Sequence, residues 1–457
     1  MEVDKIINEV AEAPARALDS AIGESKSALR RVFSKSPVRE AEHYWNALGP
    51  GLTTGASDDD PAGLATYSQA GARFGYQLLW TALFTFPLIA VIQEMCARIG
   101  LATGRGLAGN IRRRYPLWVI YSITALLFFS NTFNLGADLG AVSSAFQLIF
   151  PNVPFAVAIL GFTVVSLGLQ IFVTYSRYAR YLKYLSFVLL LYIATALTIS
   201  GLPWDSIAHS TVIPNFVFSQ ETFLLICAIL GTTISPYLFF WQTSQEVEER
   251  ASGGHTKARL RHEVLRNKDV RKMRFDVWTG MLLSNVVMFF IIVTCAATLF
   301  PEGIVVNSAA DAALALKPLA GNQAYTLFAL GIIGTGLLAI PVLAGSAAYA
   351  FAETLRWREG LNKKLKDAYG FYGIIIIAMA LGLLMNFTGI NLIKALIYSA
   401  VLNGLVAPVV LVFIVQLSSS QEVMGKWRNR PLTSIIGWAA TVLMILSGAA
   451  AIVSIII

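Results

Sequence analysis

Charged side chains are scarce in this chain of 457 residues: Asp, Glu, Lys and Arg make up 14%, whereas hydrophobic residues make up 56%. A soluble domain rarely carries so little charge. Apolar stretches of about 20 residues recur along the sequence, and each is long enough to cross the hydrocarbon core of a bilayer. The composition therefore excludes a soluble domain and predicts an all-α polytopic membrane protein surrounded by lipid.

Cysteine and histidine are also rare. The three cysteines, Cys96, Cys227 and Cys295, form no CxxC pair and no disulfide framework, and none of the four histidines lies in an apolar stretch. Zinc and copper sites usually take imidazole or thiolate ligands, so the sequence does not support such a site. No nucleophile is paired with a base as in an enzyme. We expect no enzymatic activity, no cofactor and no obligatory protein partner.

Eleven apolar segments predict eleven membrane-spanning helices. They cover residues 47–71, 76–99, 117–149, 153–174, 182–201, 220–246, 275–300, 323–354, 369–386, 390–416 and 432–456. The first ten would form two repeats of five, 46–201 and 220–416, and the helix 432–456 would be an addition to them. Residues 1–45 would form a cytosolic tail, and residues 46–457 the transmembrane domain.

Basic residues alternate from one connection to the next. Segments such as "SRYARYLK" and "RWREGLNKKLKD" are strongly basic, whereas "FPNVPF" and "NFTG" carry no Lys or Arg. Cytosolic loops of membrane proteins carry the excess of Lys and Arg. We therefore expect a multi-pass protein of the cell membrane with its N-terminus in the cytosol and its C-terminus outside. These loops, rather than nucleic-acid binding, explain the net charge of +8.

The first predicted span is interrupted at "SDDDPAG", residues 57–63. Asp58, Asp59 and Asp60 place three carboxylates near mid-membrane, where each ionised side chain costs about 3 kcal/mol on insertion scales. Pro61 follows directly and breaks a helix. A kink with only a packing role is the alternative, but such a kink requires no carboxylates. We interpret the stretch as half of a binding site.

A second interruption, "LGTTISPYLFF", lies in the sixth span, where Gly231 and Pro236 indicate a break. Breaks at corresponding positions of two repeats are the best sequence indicator of a transporter's midplane site. The polar groups released there would face an ion, and the candidates are Thr232, Thr233 and Ser235. Such oxygens bind cations when carboxylates supply the negative charge.

Further polar residues lie inside the predicted spans. Asp138 in the third span is either a buried structural aspartate or a proton or ion relay, and the sequence leaves both interpretations open. Asn131 and Asn134 lie on a similar face of that helix and could line the same path. Gln242 and Asn403 are interpreted as helix–helix hydrogen bonds, with a role in lining a pathway as the alternative.

Several of these segments share their pattern with one family. They are "GPGLTTGASDDDPAGLATYSQAG", "ADLGAV" in the third span, "GTTISPYLFF" in the sixth, and "VMGKWRNRPLTSIIGW" before the eleventh. Together they resemble the Nramp divalent-metal transporters over nearly the whole chain after residue 45. The resemblance implies the LeuT-type fold, with five-plus-five inverted repeats, broken first and sixth helices and an extra eleventh helix.

The resemblance makes Asp60 a retained metal ligand, but other ligands of the family are changed. Gly63 stands where the family has an asparagine, and Ser235 stands where it has a methionine whose soft thioether favours transition metals. A family glutamine is missing near Ala400, with Asn403 as a partial substitute. A roomier site built from oxygen atoms suits a hard, hydrated cation such as Mg²⁺.

The proton pathway implied by the resemblance is altered as well. Tyr237 replaces a sixth-helix histidine, Ala141 replaces a second acid after Asp138, and the ninth span carries no basic residue. We therefore expect transport of a divalent cation, magnesium or manganese, by alternating access with weak or no proton coupling, close to the Nramp-related magnesium transporters. The alternatives are a carrier of a small anion or organic molecule on the same scaffold, and a sensor that does not transport.

Overall fold

A computed structural model describes residues 49–173, 190–215, 217–252 and 265–456, and Pro50–Ile457 forms one compact unit. The predicted tail, 1–45, lies outside the described residues. So do most of the basic connections that follow the fourth and sixth spans.

The helices follow the predicted order, and they are called here spans 1 to 11. Their bounds are Pro50–Asp58 (span 1a), Pro61–Phe74 (1b), Trp80–Thr103 (2), Leu117–Ile149 (3), Phe155–Phe172 (4), Leu190–Thr198 (the described part of 5), Gln220–Thr233 (6a), Pro236–Ser252 (6b), Asn267–Thr298 (7), Ala324–Leu355 (8), Tyr369–Met385 (9), Leu392–Ser419 (10) and Pro431–Ile456 (11). By length and composition, eight helices of the described ranges can cross a membrane. Span 9 is shorter, span 1 is divided and span 5 is described only in part.

Two predicted helix ends differ most from the structure, and for the same reason. Span 7 begins at Asn267 rather than at residue 275, and span 6b continues to Ser252 rather than ending at 246. The prediction followed the apolar run, but the adjoining segments "NKDVRKMR" and "EVEERAS" are rich in Lys, Arg and Glu, which are good helix formers. The negative charge of Asp269, in the first turn of span 7, also stabilises the start of this helix through the helix dipole. Both helices therefore extend beyond their apolar part.

Span 1 is divided because Pro61 cannot continue a helix. Asp59 and Asp60 are not helical, and Asp60 has φ −70° and ψ 169°, as expected for a residue before proline. Asp60 then caps span 1b, with its Oδ1 accepting a hydrogen bond of 2.7 Å from the Gly63 N–H. Pro61 occupies the first helical position, where no N–H is needed. The break therefore places the Asp60 carboxylate at the N-terminus of span 1b, where it caps the helix.

Span 6 is divided in the same way before Pro236. Ile234 leaves the helical conformation, with φ −106° and ψ 60°. Gly231, which the sequence analysis assigned to the break, lies instead within span 6a. A Cβ at Gly231 would come within 2.7 Å of the Cα of Gly404 in span 10. Gly231 therefore serves the close packing of spans 6a and 10, and the break lies three residues further on.

The broken helices lie in the interior of the bundle. In the most apolar part of span 6, 89% of residues are buried, against 28% for span 4. Span 7 packs along both halves of span 1, span 3 packs along span 8, and span 10 packs against spans 6a and 3. The two breaks are thus surrounded by protein, which is where irregular backbone is tolerated at membrane depth.

Candidate functional site

Asp60 is the most highly connected carboxylate at the breaks. Besides the Gly63 N–H, it accepts hydrogen bonds at Oδ2 from Asn134 Nδ2 and from the Tyr237 hydroxyl, both of 3.1 Å. Asn134 belongs to span 3 and Tyr237 to span 6b. The carboxylate is 1% exposed. Asp60 therefore joins both broken helices and span 3 at one buried point.

The missing side chain of Gly63 leaves a small space lined by oxygen atoms. A Cβ built at Gly63 would lie 3.0 Å from Thr232 Oγ1, 3.3 Å from the carbonyl oxygen of Asp58 and 3.4 Å from Asp60 Oδ1. Thr232 Oγ1 is buried beside the Asp60 carboxylate and forms no well-aligned hydrogen bond with any described residue. Spans 1a, 1b and 6a thus direct oxygens toward one position.

Ser235, predicted as a ligand, interacts first with its own helix. Its hydroxyl lies 2.9 Å from the carbonyl oxygen of Gly231 and 2.5 Å from that of Thr232. Both carbonyls lie in the last turn of span 6a, where the C=O groups have no N–H partner within the helix. A hydroxyl has one proton and can serve only one of them at a time. The Ser235 oxygen keeps its lone pairs, whereas the Thr232 carbonyl is partly satisfied.

Thr233 lies on a different side of span 6a from Thr232. Its hydroxyl donates to the Ile229 carbonyl at 2.8 Å and lies 3.1 Å from the hydroxyl of Tyr67. The sulfur of Met288 in span 7 lies 3.9 Å from the same hydroxyl. The structure therefore does not bring the Thr233 side chain to Asp60.

The other two aspartates turn toward span 7. The Ser284 hydroxyl lies 2.8 Å from Asp58 Oδ2 and 3.1 Å from Asp59 Oδ1. Asp58 is fully buried, and its Oδ1 has no hydrogen-bond partner in the described part of the chain. The three consecutive aspartates therefore diverge: Asp60 faces spans 3 and 6, and the pair Asp58 and Asp59 faces span 7.

Asp138 lies one helical turn after Asn134 on span 3. It is fully buried, and neither carboxylate oxygen has a hydrogen-bond partner among the described residues. The backbone N–H of Ala62, at the start of span 1b, faces this carboxylate. Within the described ranges, no three His, Cys, Asp or Glu side chains are grouped to hold a metal ion. A cation at the breaks would therefore need neutral oxygens as well as carboxylates.

The remaining predicted polar residues link helices. Asn134 also accepts from Ser399 of span 10 at 2.7 Å. Asn131 donates to span 8, at the Leu343 carbonyl and Ser346, and Asn403 accepts from Ser130 of span 3. Of these asparagines, only Asn134 contacts a carboxylate of the breaks.

Gln242 is the middle residue of a row of hydrogen-bonded polar side chains, Thr54, Gln242 and Glu246, that leads away from the breaks. Its Oε1 accepts from Thr54 of span 1a at 2.5 Å, and its Nε2 donates to Glu246 at 2.9 Å. Thr54 lies one turn before Asp58. Glu246 is 5% exposed and lies one turn further along span 6b. This row lies between spans 1a and 6b and extends toward their predicted cytosolic ends.

Three contributing residues were missed by the sequence analysis: Ser284, Ser399 and Thr54. Their only signal is a hydroxyl within an apolar span, as in "MLLSN" and "IYSAV". Such hydroxyls usually bond the carbonyl four residues earlier in their own helix, so the signal is weak.

The fold and its central site can now be compared with known proteins. A family model described as natural resistance-associated macrophage protein-like, or Nramp, matches residues 51–454. The chain belongs to the Nramp family. Nramp proteins are membrane transporters, which confirms the predicted multi-pass membrane protein and the prediction that it is not an enzyme.

Individual relatives are distant but cover most of this Nramp chain. The divalent metal cation transporter MntH of Caldanaerobacter subterraneus is 24% identical over 420 residues, 90% of this chain and 93% of that protein. A manganese transporter of Eremococcus coleocola has a TM-score of 0.72 at 19% identity, over 89% of this chain and 86% of that one. MhsT, solved with L-phenylalanine, has a TM-score of 0.54 at 12% identity, over 89% and 97%. These likenesses confirm the predicted LeuT-type fold.

Proposed function

We propose that this protein carries a divalent cation, magnesium or manganese, across the membrane by alternating access. The cation is the substrate, and no resident cofactor takes part. The convergence of Thr232 Oγ1, the Asp58 carbonyl and Asp60 Oδ1 beside Gly63 carries this proposal. The relatives support the substrate class, since one is named a divalent metal cation transporter and another a manganese transporter.

The charges at the breaks favour a cation over an anion. Asp58, Asp59, Asp60 and Asp138 are all buried. The groups that donate hydrogen bonds to the first three are neutral hydroxyl, amide and backbone N–H groups. Ionised carboxylates at membrane depth require a compensating charge. A divalent cation supplies it, whereas a small anion would add to the repulsion. The alternative of an anion carrier is therefore disfavoured.

The donor atoms favour magnesium. The atoms around Gly63 are oxygens, and hard cations prefer such ligands. Each lies 3.0–3.4 Å from the position of the absent Cβ, whereas a direct Mg–O bond is about 2.1 Å. A cation there would either draw the oxygens inward or keep waters between itself and the protein. Magnesium loses its waters reluctantly, so the second arrangement suits it.

Removing the central carboxylate tests the proposal. We expect Asp60→Ala to abolish uptake of Mg²⁺ and Mn²⁺ into proteoliposomes, because the carboxylate beside Gly63 is lost. Isothermal titration of the purified protein with each ion gives binding separately from transport. The control is Asp367→Ala, which removes an exposed carboxylate before span 9.

Two results would contradict the proposal. Uptake by Asp60→Ala at the rate of the unaltered protein would exclude Asp60 as a ligand. Absence of binding of Mg²⁺, Mn²⁺ and Ca²⁺ to the unaltered protein would favour a carrier of another solute.

Proton coupling is proposed to be weak or absent. Tyr237 donates to Asp60, but a tyrosine does not exchange protons near neutral pH as histidine does. Ala141 carries no acid, and span 9 carries no basic side chain. A pH-sensitive dye inside the same proteoliposomes should therefore report no acidification during Mg²⁺ uptake. Acidification that scales with uptake and disappears in Asp60→Ala would show proton symport instead.

A further inference from the structure

A basic cavity lies at one end of the bundle, far in sequence from either helix break. Its volume is about 600 Å³, and it is bordered by the end of span 2, the short helix Leu107–Arg114 and the end of span 8. Four arginines line it: Arg105, Arg112, Arg113 and Arg356. Two glutamates, Glu353 and Glu359, also line it, so positive charge is in excess.

The main acid of the cavity is already engaged. Glu353 accepts from the Gly109 N–H at 2.8 Å, at the N-terminus of the short helix, and from the Ser244 hydroxyl at 3.1 Å. An anion at a helix N-terminus is stabilised by the exposed N–H groups. Glu353 therefore serves as a cap that joins span 8 to the short helix.

Three of the arginines have no counter-ion within the described residues. Arg112 donates to the Thr354 carbonyl. The guanidinium groups of Arg105, Arg113 and Arg356 form no hydrogen bond or ion pair with any described residue. Three unpaired cations on one cavity repel one another unless an anion lies between them.

The surroundings place this cavity at the depth of lipid headgroups. Trp357, next to Arg356, is 42% exposed, and Trp118, at the start of span 3, is 70% exposed. Tyr121, one turn further, is 46% exposed. Exposed Trp and Tyr side chains at the ends of spans are typical of the boundary between hydrocarbon and headgroups. The cavity therefore opens beside an aromatic belt.

We propose that this cavity binds a phosphate-bearing anion, and that the phosphate of an anionic phospholipid headgroup is its occupant. Guanidinium groups match phosphate oxygens in a two-pronged geometry that ammonium groups do not. Basic pockets between membrane spans bind anionic headgroups, and the aromatic belt puts a lipid, rather than a soluble phosphate, at the right depth. The bound lipid holds the end of span 2, the short helix and the end of span 8 together.

The test compares lipid binding by two triple variants of the full-length protein. Arg105→Gln/Arg113→Gln/Arg356→Gln removes the unpaired cations. Lys364→Gln/Lys366→Gln/Arg428→Gln removes the same charge from exposed positions elsewhere in the basic connections. Native mass spectrometry counts phosphatidylglycerol and phosphatidylcholine retained by each protein, and a parallel titration uses inorganic phosphate alone.

We expect the cavity variant to bind phosphatidylglycerol roughly 100-fold more weakly, because each arginine near the membrane surface contributes about fivefold. The control variant should stay within about twofold of the unaltered protein. If the triple cavity variant does not fold, the exposed single variant Arg113→Gln should still lose about fivefold. Retention of phosphatidylglycerol by the cavity variant at the unaltered level would overturn the site. Phosphate binding equal to phosphatidylglycerol binding, lost in the same variant, would overturn the assignment to lipid.

Discussion

At the scale of single residues, Thr232 and Thr233 show how one helical step separates two functions. Adjacent side chains on a helix diverge by about 100°. Thr232 Oγ1 therefore lies beside Gly63 and the Asp60 carboxylate, whereas the Thr233 hydroxyl meets the Ile229 carbonyl and Tyr67. Both were predicted ligands, and under the proposed function the geometry favours Thr232 over Thr233 as the ligand.

This pair gives a matched test. We expect Thr232→Val to raise the dissociation constant for Mg²⁺ about tenfold, because one neutral oxygen ligand is replaced by a methyl group of similar shape. Thr233→Val should change it by less than about twofold. Isothermal titration measures both. Equal losses in the two variants would mean that the hydroxyls act through the packing of span 6a rather than on the cation.

Part of the residue-level picture could be predicted from sequence. A carboxylate before proline inside an apolar span has few structural explanations, so Asp60 is identifiable, and Asn134 follows from helical spacing on span 3. Ser284 does not, because a hydroxyl is usually satisfied by its own helix, as Ser143 is by the Leu139 carbonyl. Which hydroxyl turns to a neighbour depends on how the helices are aligned, and no local pattern encodes that.

At the scale of elements, span 1a lies directly against span 7. Asp276 of span 7 accepts from the Gly51 and Leu52 N–H groups at 2.7 and 3.2 Å, and so caps span 1a from outside. Gly55 contacts the carbonyl of Gly280, so the two helices approach without side chains between them.

We expect Gly55→Ala to lower the free energy of unfolding by about 1–3 kcal/mol, because the added Cβ would lie 2.9 Å from the Gly280 Cα and closer still to its carbonyl group. The control is Gly161→Ala in span 4, where a Cβ meets nothing within 4 Å. That change should be neutral or stabilising, by up to about 1 kcal/mol. Denaturant unfolding of the purified proteins measures the difference. A Gly55→Ala protein as stable as the control would show that the two helices can separate freely.

The sequence also determines the breaks more clearly than the helix ends. Pro61 and Pro236 lack the N–H that would continue a helix, so the positions of the breaks follow from covalent structure. The start of span 7 at Asn267 does not, because a charged helical extension and a charged loop have similar composition.

At the scale of the whole molecule, contacts among the connections support the predicted topology. Arg112 donates to the Thr354 carbonyl, and Arg114 pairs with Glu422. These contacts bring the connections after spans 2, 8 and 10 to one end of the bundle, as the even number of crossings between them requires. Which end faces the cytosol rests on the distribution of Lys and Arg.

We therefore expect the N-terminus in the cytosol and the C-terminus outside. With a cleavable tag at each end, protease added to intact cells should remove the C-terminal tag and spare the N-terminal one, and both should be cut after lysis. The opposite pattern would mean that the basic connections face outward and that the charge rule fails for this chain.

The attachment of span 1a has a mechanical consequence. Gly51 and Gly55 bring the backbone of span 1a directly against span 7, where the Asp276 carboxylate also caps it. Span 6b reaches span 1a through the side chains of Gln242 and Tyr237. A hydrogen bond between side chains can exchange for water at little net cost. Two helices whose backbones are in direct contact separate only if one whole helix moves away from the other. We expect the cytosolic side of the transporter to open between spans 1a and 6b, at the Thr54–Gln242 hydrogen bond. Spans 1a and 7 would then move together as one rigid unit, and Glu246 would stay with span 6b.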